Sequence, residues 1–288
     1  MGGQRVVDGL VALLDLEPIE QDIFRGRSPN VALQRVFGGQ VAGQALVAAT
    51  RTVEADRAVH SLHSYFIRAG DPTVPIVYMV ERIRDGHSFS VRRVLAIRHG
   101  KPIFTLSASF QLDQGGIDHQ AEMPSVPPPD ELPTLLERLA GFDQLRASMS
   151  RIPQAFDIRY VDDPPWVQRA LGPREHQPHR IWMKANGRLP DDLTLHVCVV
   201  TFASDLNLLD SVLIHHGMAS RLDPISMASL DHAMWFHRQF RADSWFLYES
   251  SSPSASGGRG LATGRFFTRD GRLVVSVAQE GLIRLPNG

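Results

Sequence analysis

Ser229-Leu230-Asp231-His232-Ala233-Met234-Trp235-Phe236-His237-Arg238 decides the reading of this chain, because a similar, chemically poorer segment stands about 170 residues before it. That first copy is Ser61-Leu62-His63-Ser64-Tyr65-Phe66-Ile67-Arg68. Further along each half a turn leading into an apolar run recurs, Arg98-His99-Gly100-Lys101 against Arg269-Asp270-Gly271-Arg272, at a shift of 171. His63/His232, Tyr65-Phe66/Trp235-Phe236 and Gly100/Gly271 align at shifts of 169, 170 and 171, so one architecture is expected twice in the chain. Residues present in only one copy then point to where function was placed.

The order of elements around the two segments supports this. Phe37 to Val53 is small or apolar on nearly every side, the signature of a buried helix, which is read from Leu33 to Thr50. After the Ser61 segment come three strand-like runs, Ile76 to Ile83, Ser88 to Ile97 and Pro102 to Gln111, separated by turn residues Arg84-Asp85-Gly86 and His99-Gly100. A buried helix followed by antiparallel strands is an α+β layout, a curved sheet around a helix. Pro124, Pro127, Pro128, Pro129 and Pro133 then break any helix or central strand and mark a linker, followed by a helix from about Thr134 to Met149. The pattern restarts with strand-like Phe156 to Val161, Ile181 to Lys184 and Leu193 to Thr201, and a helix from Ser204 through His216 carrying Leu206, Leu209 and Leu213, with Ser204 as N-cap. The Ser229 strand, Trp245 to Ser250, Gly260 to Thr268 and Arg272 to Ile283 complete it. The implied division is a first half at 1–115, a linker and helix at 116–152, and a second half at 153–288.

Composition narrows the function. The 288 residues suffice for about two domains of ~100–150 residues, and 43% hydrophobic with 21% charged residues is ordinary for a globular protein. A net charge of −1 offers no footprint for nucleic acid. Cys198 is the only cysteine, which excludes an internal disulfide and a multi-cysteine zinc site. No apolar run approaches the ~18 residues of a membrane span, and neither a signal peptide nor a peroxisomal C-terminus is visible, so a cytoplasmic location is expected.

Comparing the halves selects candidate residues. The first buried helix has no Asp or Glu, whereas the second is expected to begin Ala203-Ser204-Asp205-Leu206-Asn207. In the last strand, Leu273, Val275, Val277 and Gln279 share a face by alternation, and the counterpart of Gln279 at a shift of 171 is Ala108. Asp205 and Gln279 are thus polar groups aimed inward, which must find a partner or a ligand. Taken singly, Asp205 also reads as a first-turn carboxylate favoured by the helix dipole and Gln279 as a rim residue.

Several stretches together resemble one family over nearly the whole chain. They are Phe37-Gly38-Gly39-Gln40-Val41-Ala42-Gly43-Gln44-Ala45-Leu46, His63-Ser64-Tyr65-Phe66, Arg84-Asp85-Gly86-His87-Ser88-Phe89-Ser90-Val91-Arg92-Arg93, Ala203-Ser204-Asp205-Leu206-Asn207, Asp231 to Arg238, and Gln279-Glu280-Gly281. The chain resembles the acyl-CoA thioesterase II family of tandem, double-hotdog proteins. The resemblance implies two curved antiparallel sheets each wrapping a central helix, and one active site built from Asp205, Ser229 and Gln279. It further implies a fatty acyl-CoA substrate, no cofactor or metal, and a homo-oligomer, dimer or tetramer. The family more often carries Thr where Ser229 stands, so the hydroxyl is kept and the rotamer-fixing methyl is lost. The implied chemistry is water attack on the thioester, with Asp205 as base and Ser229 and Gln279 holding the water.

Other readings are weaker. Gly86-His87-Ser88-Phe89-Ser90 lacks the final Gly and the strand-to-helix setting of a nucleophile elbow, and Gly258-Arg259-Gly260 lacks dinucleotide-loop spacing. His215-His216 belongs to no metal-type cluster. A hydratase or dehydratase, or a non-catalytic acyl-CoA binding module, on the same fold stays open. Gly38-Gly39 permits close backbone approach, as an oxyanion hole needs. Arg82, Arg84, Arg92, Arg93, Arg98 and Lys101 form a basic group that reads either as CoA recognition or, more simply, as the solvated side of a sheet.

Overall fold

The computed structural model describes residues 2–28, 36–150, 154–174, 177–220 and 222–285. Helix α1 (Gly2–Leu14) buries Val7, Leu10 and Leu14, one helical stripe. A hairpin of β1 (Glu17–Glu20) and β2 (Ile23–Gly26) leads to α2 (Gly38–Thr50), then β3 (Arg57–Phe66), β4 (Ile76–Asp85), β5 (Phe89–Arg98) and β6 (Lys101–Leu112). Beyond the Pro-rich segment come α3 (Leu135–Arg138), α4 (Asp143–Ser150), β7 (Phe156–Tyr160), α5 (Pro165–Leu171), β8 (His179–Ala185), α6 (Leu193–Ser204) and α7 (Asp210–His215). The chain closes with β9 (Ser226–Ser229), β10 (Asp231–Phe236), β11 (Phe246–Ser256), β12 (Arg259–Thr268) and β13 (Leu273–Arg284). No described helix is long and apolar enough to cross a membrane.

All described strands belong to one antiparallel sheet, ordered β1-β2-β4-β5-β6-β3-β10-β13-β12-β11-β8-β7, with β9 also paired to β13, so the two sheets expected are continuous through the β3–β10 pair. The Ser61 and Ser229 segments are therefore neighbours: β3 and β10 pair with each other, Leu62 opposite Met234 and His63 opposite Ala233, and join the halves. Registers repeat as well. Tyr78 lies opposite Ala96, and 170 places later Tyr248 lies opposite Phe266. Gly100 and Gly271, 171 apart, both turn their hairpins with positive φ, 69° and 87°, where a side chain would be strained.

Inside the sheet α2 and α6 lie against each other. Every residue of α2 from Gly39 to Ala49 is buried. A Cβ on Gly39 would fall 2.3 Å from the Phe202 carbonyl oxygen and one on Gly43 3.3 Å from that of Cys198, so the helices run antiparallel with small residues letting the backbones meet. Cys198 is deep in this contact, and burial pushes its thiol pKa up.

Three expectations are corrected. Leu193 to Thr201 is helix, not strand: Asp192 caps it by accepting from the Thr194 amide (2.9 Å), and Thr201 returns its hydroxyl to the Val197 carbonyl. An unbroken apolar, β-branched run reads alike for a buried strand and a buried helix. Ser204 accordingly ends a helix instead of starting one, with its Oγ 3.0 Å from the Thr201 carbonyl oxygen, the next helix being α7. The stretch from Thr134 to Met149 splits into α3, which Thr134 and Glu137 open with a capping box, and α4, separated at Gly141 (φ 85°). Residues 33–35, read as the start of the first helix, lie outside the described residues.

Burial gives this fold a pH handle at His179. His179 is buried beside the Tyr160 ring, its Nε2 has no partner among the described residues, and burial lowers its pKa to about 4. The unfolded chain takes up this proton near pH 6.5, the folded chain only near 4, so its stabilising contribution is complete above 6.5 and falls as pH drops through that window. At pH 5 the loss is about 2 kcal/mol. Urea midpoints at pH 7 and pH 5 should therefore differ less for His179→Phe than for wild type; equal differences would reject the assignment.

Candidate active site

Asp205, Ser229 and Gln279 come from three elements and meet. Asp205 is the C-cap of α6 (φ −84°, ψ −5°), Ser229 ends β9 opposite Gly281 of β13, and Gln279 projects inward from β13. The Gln279 amide donates to Asp205 Oδ1 at 2.7 Å and to Ser229 Oγ at 2.6 Å. The Ser229 hydroxyl donates to the same Asp205 oxygen at 3.2 Å, the longest side of the triangle. Asp205 Oδ2 accepts from the Gly39 amide at 2.8 Å, so the first turn of α2 reaches across the halves with one of its spare N–H donors.

Asp205 and Ser229 face a cavity of about 740 Å³ whose walls are largely apolar. Val41 and Phe104 come from the first half, Phe156, Trp166 and Phe202 from the second, and Leu135 and Met149 from the connecting helices. Gln279 is 0% exposed and stands behind the other two. Behind it in turn is His232, also buried, with Nδ1 3.1 Å from Gln279 Oε1 and Nε2 2.8 Å from Ser204 Oγ. Burial lowers the His232 pKa, with the Asp205 charge opposing.

The comparison of halves thus selected residues that the fold brings together, although Asp205 closes its helix instead of opening it. The rim reading of Gln279 fails on its burial. Gly39, considered for an oxyanion, has its amide engaged by Asp205. The basic group divides: Arg92 is 1% exposed and ties Asp85 (2.6 Å) to Thr52 (2.9 Å), Arg98 is buried too, and Arg82 pairs outside with Asp22. Arg92 and Arg98 therefore belong to no solvated face. Two functional features escaped the sequence reading. His232 was visible within the repeated segment, aligned there with His63, but no role followed, and the strand registers make Leu62 its counterpart instead, at a shift of 170. The part of the connecting helices in the cavity wall had no sequence signal, because it depends on tertiary placement.

Comparison with known proteins gives the family. A family model described as acyl-CoA thioesterase matches residues 150–282, and one described as the acyl-CoA thioesterase N-terminal domain matches residues 24–111. Acyl-coenzyme A thioesterase 8 of Mus musculus is 46% identical over 293 aligned positions, covering 96% of this chain and 89% of that protein. Among solved structures, acyl-CoA thioesterase II TesB2 from Mycobacterium marinum is 46% identical with a TM-score of 0.79, covering 96% of this chain and 98% of that one. A hot dog fold protein of Alicyclobacillus acidocaldarius, 17% identical and covering 95% and 97% of the two chains, superposes with a TM-score of 0.74, a likeness of fold. The family models and full-length relatives, on a hotdog fold, make the chain a thioester hydrolase of the hotdog class. Within that class, the chain belongs to the acyl-CoA thioesterase family.

The two glycines at the start of α2 should respond differently to a methyl group. Gly39→Ala presses on the Phe202 carbonyl and forces the helices apart, an expected loss of about 1–3 kcal/mol in urea unfolding. Gly38→Ala puts its methyl 2.7 Å from Asp205 Oδ2 and should instead lower kcat for acyl-CoA hydrolysis about tenfold or more with little change in stability. Wild-type kcat in a folded Gly38→Ala variant would show that the carboxylate does not need its present position.

Proposed function

We propose that the protein hydrolyses fatty acyl-CoA to free fatty acid and CoA at a single site made of Asp205, Ser229 and Gln279. The observation that carries this reading is the convergence of the three side chains, within 3.2 Å of one another, with Asp205 and Ser229 on the wall of the apolar cavity and Gln279 behind them. Water enters between Asp205 and Ser229 at the longest bond of the triangle. Asp205 takes one proton from the water as its oxygen attacks the thioester carbonyl. Ser229 and Gln279 position the water, Ser229 by direct contact and Gln279 by fixing both the hydroxyl and the carboxylate. The tetrahedral oxyanion then collapses, the C–S bond breaks, and CoA leaves as a thiolate, which the proton held by Asp205 neutralises. A thiol of cysteine-like pKa, ~8.5, leaves without a dedicated acid, and no cofactor enters any step.

The chain is organised for this as a double hotdog. Residues 1–115 form a scaffold hotdog around α2, 116–152 connect, and 153–288 form the hotdog around α6 that carries the three residues. Tyr65 and Trp235, both exposed on the outer side where β3 meets β10, support assembly into a dimer or tetramer through that face.

Asp205→Asn keeps the shape of the side chain and removes the base. It is expected to lower kcat at least about a hundredfold with a melting temperature close to wild type. Thiol release from saturated and 2-enoyl acyl-CoA separates the alternatives: a hydratase retains CoA in its product, and a binding module releases none. Near-normal turnover by Asp205→Asn would remove Asp205 from the mechanism.

A further inference from the structure

We propose that His232 is a positioning residue of this site: its Nδ1–H holds the Gln279 amide with the NH2 end toward Asp205 and Ser229. The inference rests on the role given to Gln279 above. Three observations lead to it. First, a primary amide has two chemically opposite ends, and shape alone does not choose between them. With the NH2 end forward, Gln279 donates to Asp205 Oδ1 and Ser229 Oγ. Turned over, a carbonyl oxygen would stand about 2.7 Å from the carboxylate, a repulsion, and the Ser229 hydroxyl would have to turn from Asp205 to Gln279. Second, the end pointing away is 3.1 Å from His232 Nδ1, so the working orientation requires a hydrogen on that nitrogen. Third, Nε2 is 2.8 Å from Ser204 Oγ, whose hydroxyl supplies the hydrogen that leaves Nε2 an acceptor and Nδ1 the protonated nitrogen. The Ser204 hydroxyl has one hydrogen and a second acceptor, the Thr201 carbonyl at 3.0 Å, and the shorter approach is to the imidazole. Ser204, His232, Gln279 and Asp205 then form one chain of hydrogen bonds with every donor pointing toward the carboxylate.

The other half supplies the control. In the β10/β13 register Ala233 faces Ala278, and continued one residue it puts His232 opposite Gln279. In β3/β6 the pair at the corresponding place is Leu62 and Ala108, both buried. The same sheet position thus packs a Leu–Ala pair where no chemistry is sited and a His–Gln pair where it is. His232 is buried and outside the cavity lining, so it acts on the reaction through Gln279 and not on the substrate.

The test is a cycle of kcat and KM for acyl-CoA hydrolysis in His232→Leu, Gln279→Ala, the double variant and His232→Asn. Each single change to Leu or Ala should lower kcat about tenfold or more, with KM within about twofold. The double variant, which rebuilds the pair of the first half, should be no slower than Gln279→Ala alone. His232→Asn, whose amide N–H reaches toward the place of Nδ1, should recover part of the loss. Multiplicative losses in the double variant, or a normal kcat for His232→Leu beside a slow Gln279→Ala, would overturn the role of His232 alone. A normal kcat for Gln279→Ala would instead overturn the reading beneath it. Nitrogen NMR of wild type supplies an answer independent of variant folding: the neutral Nδ1–H form of His232 is expected, and the Nε2–H form alone would refute the proposal.

Discussion

The close antiparallel contact of α2 with α6 is the constraint on which the site depends. Asp205 caps the C-terminus of its own helix, where the dipole disfavours a carboxylate by about 0.3–1 kcal/mol. The Gly39 amide, at the N-terminus of the opposed helix, answers with a hydrogen bond of 2.8 Å. A bond to a charged group is worth about 1.5–3 kcal/mol, so the contact from the other helix outweighs the local dipole. That bond needs the two backbones to come together, which Gly38, Gly39 and Gly43 permit. The carboxylate belongs to one half and its anchor to the other, and neither half alone could hold it.

Around this axis the scaffold is repeated and the chemistry is not. Arg51 caps α2 where Asp205 caps α6, and it turns outward to Asp15. Val59 stands 170 places before Ser229, Leu62 before His232, and Ala108 171 places before Gln279. Where the first half has two aliphatic strand residues and an alanine, the second therefore has a linked polar set. Such a set is tolerated inside a protein only when every member is satisfied, since a half-satisfied network is worse than an apolar core. Tyr248 extends it: its hydroxyl donates to the Ser204 carbonyl at 3.1 Å, bracing the turn before Asp205, whereas Tyr78 at the equivalent place donates to the Gln44 side chain.

Much of this was legible in the sequence because repetition and alternation leave marks on single residues. β4, β5, β6 and the three closing strands fall where period-two patterns and turn glycines put them. The asymmetry of Gln279 against Ala108 was readable as one letter against another. The α6 helix was not, since Leu-His-Val-Cys-Val-Val-Thr has no polar stripe to betray its period: both faces are buried, one by the sheet and one by α2. Misplacing that helix also misplaced Asp205 within it, although the structure still brings it against Ser229 and Gln279. The hydrogen on His232 Nδ1 depends on Ser204 and Gln279 together, and no linear pattern records a relation between residues so far apart.

The connecting segment is the part without a counterpart in the repeat, and it has a functional place. Leu135 and Met149 line the cavity that Asp205 and Ser229 face. A thioester carbonyl brought to Asp205 and Ser229 has its acyl chain attached, and that chain must leave water along apolar surface at about 25 cal/mol per Å² buried. The triangle alone recognises none of that surface. In the proposed reaction the repeat, broken at four positions, supplies the reacting groups, and the non-repeating link adds Leu135 and Met149 to the apolar wall.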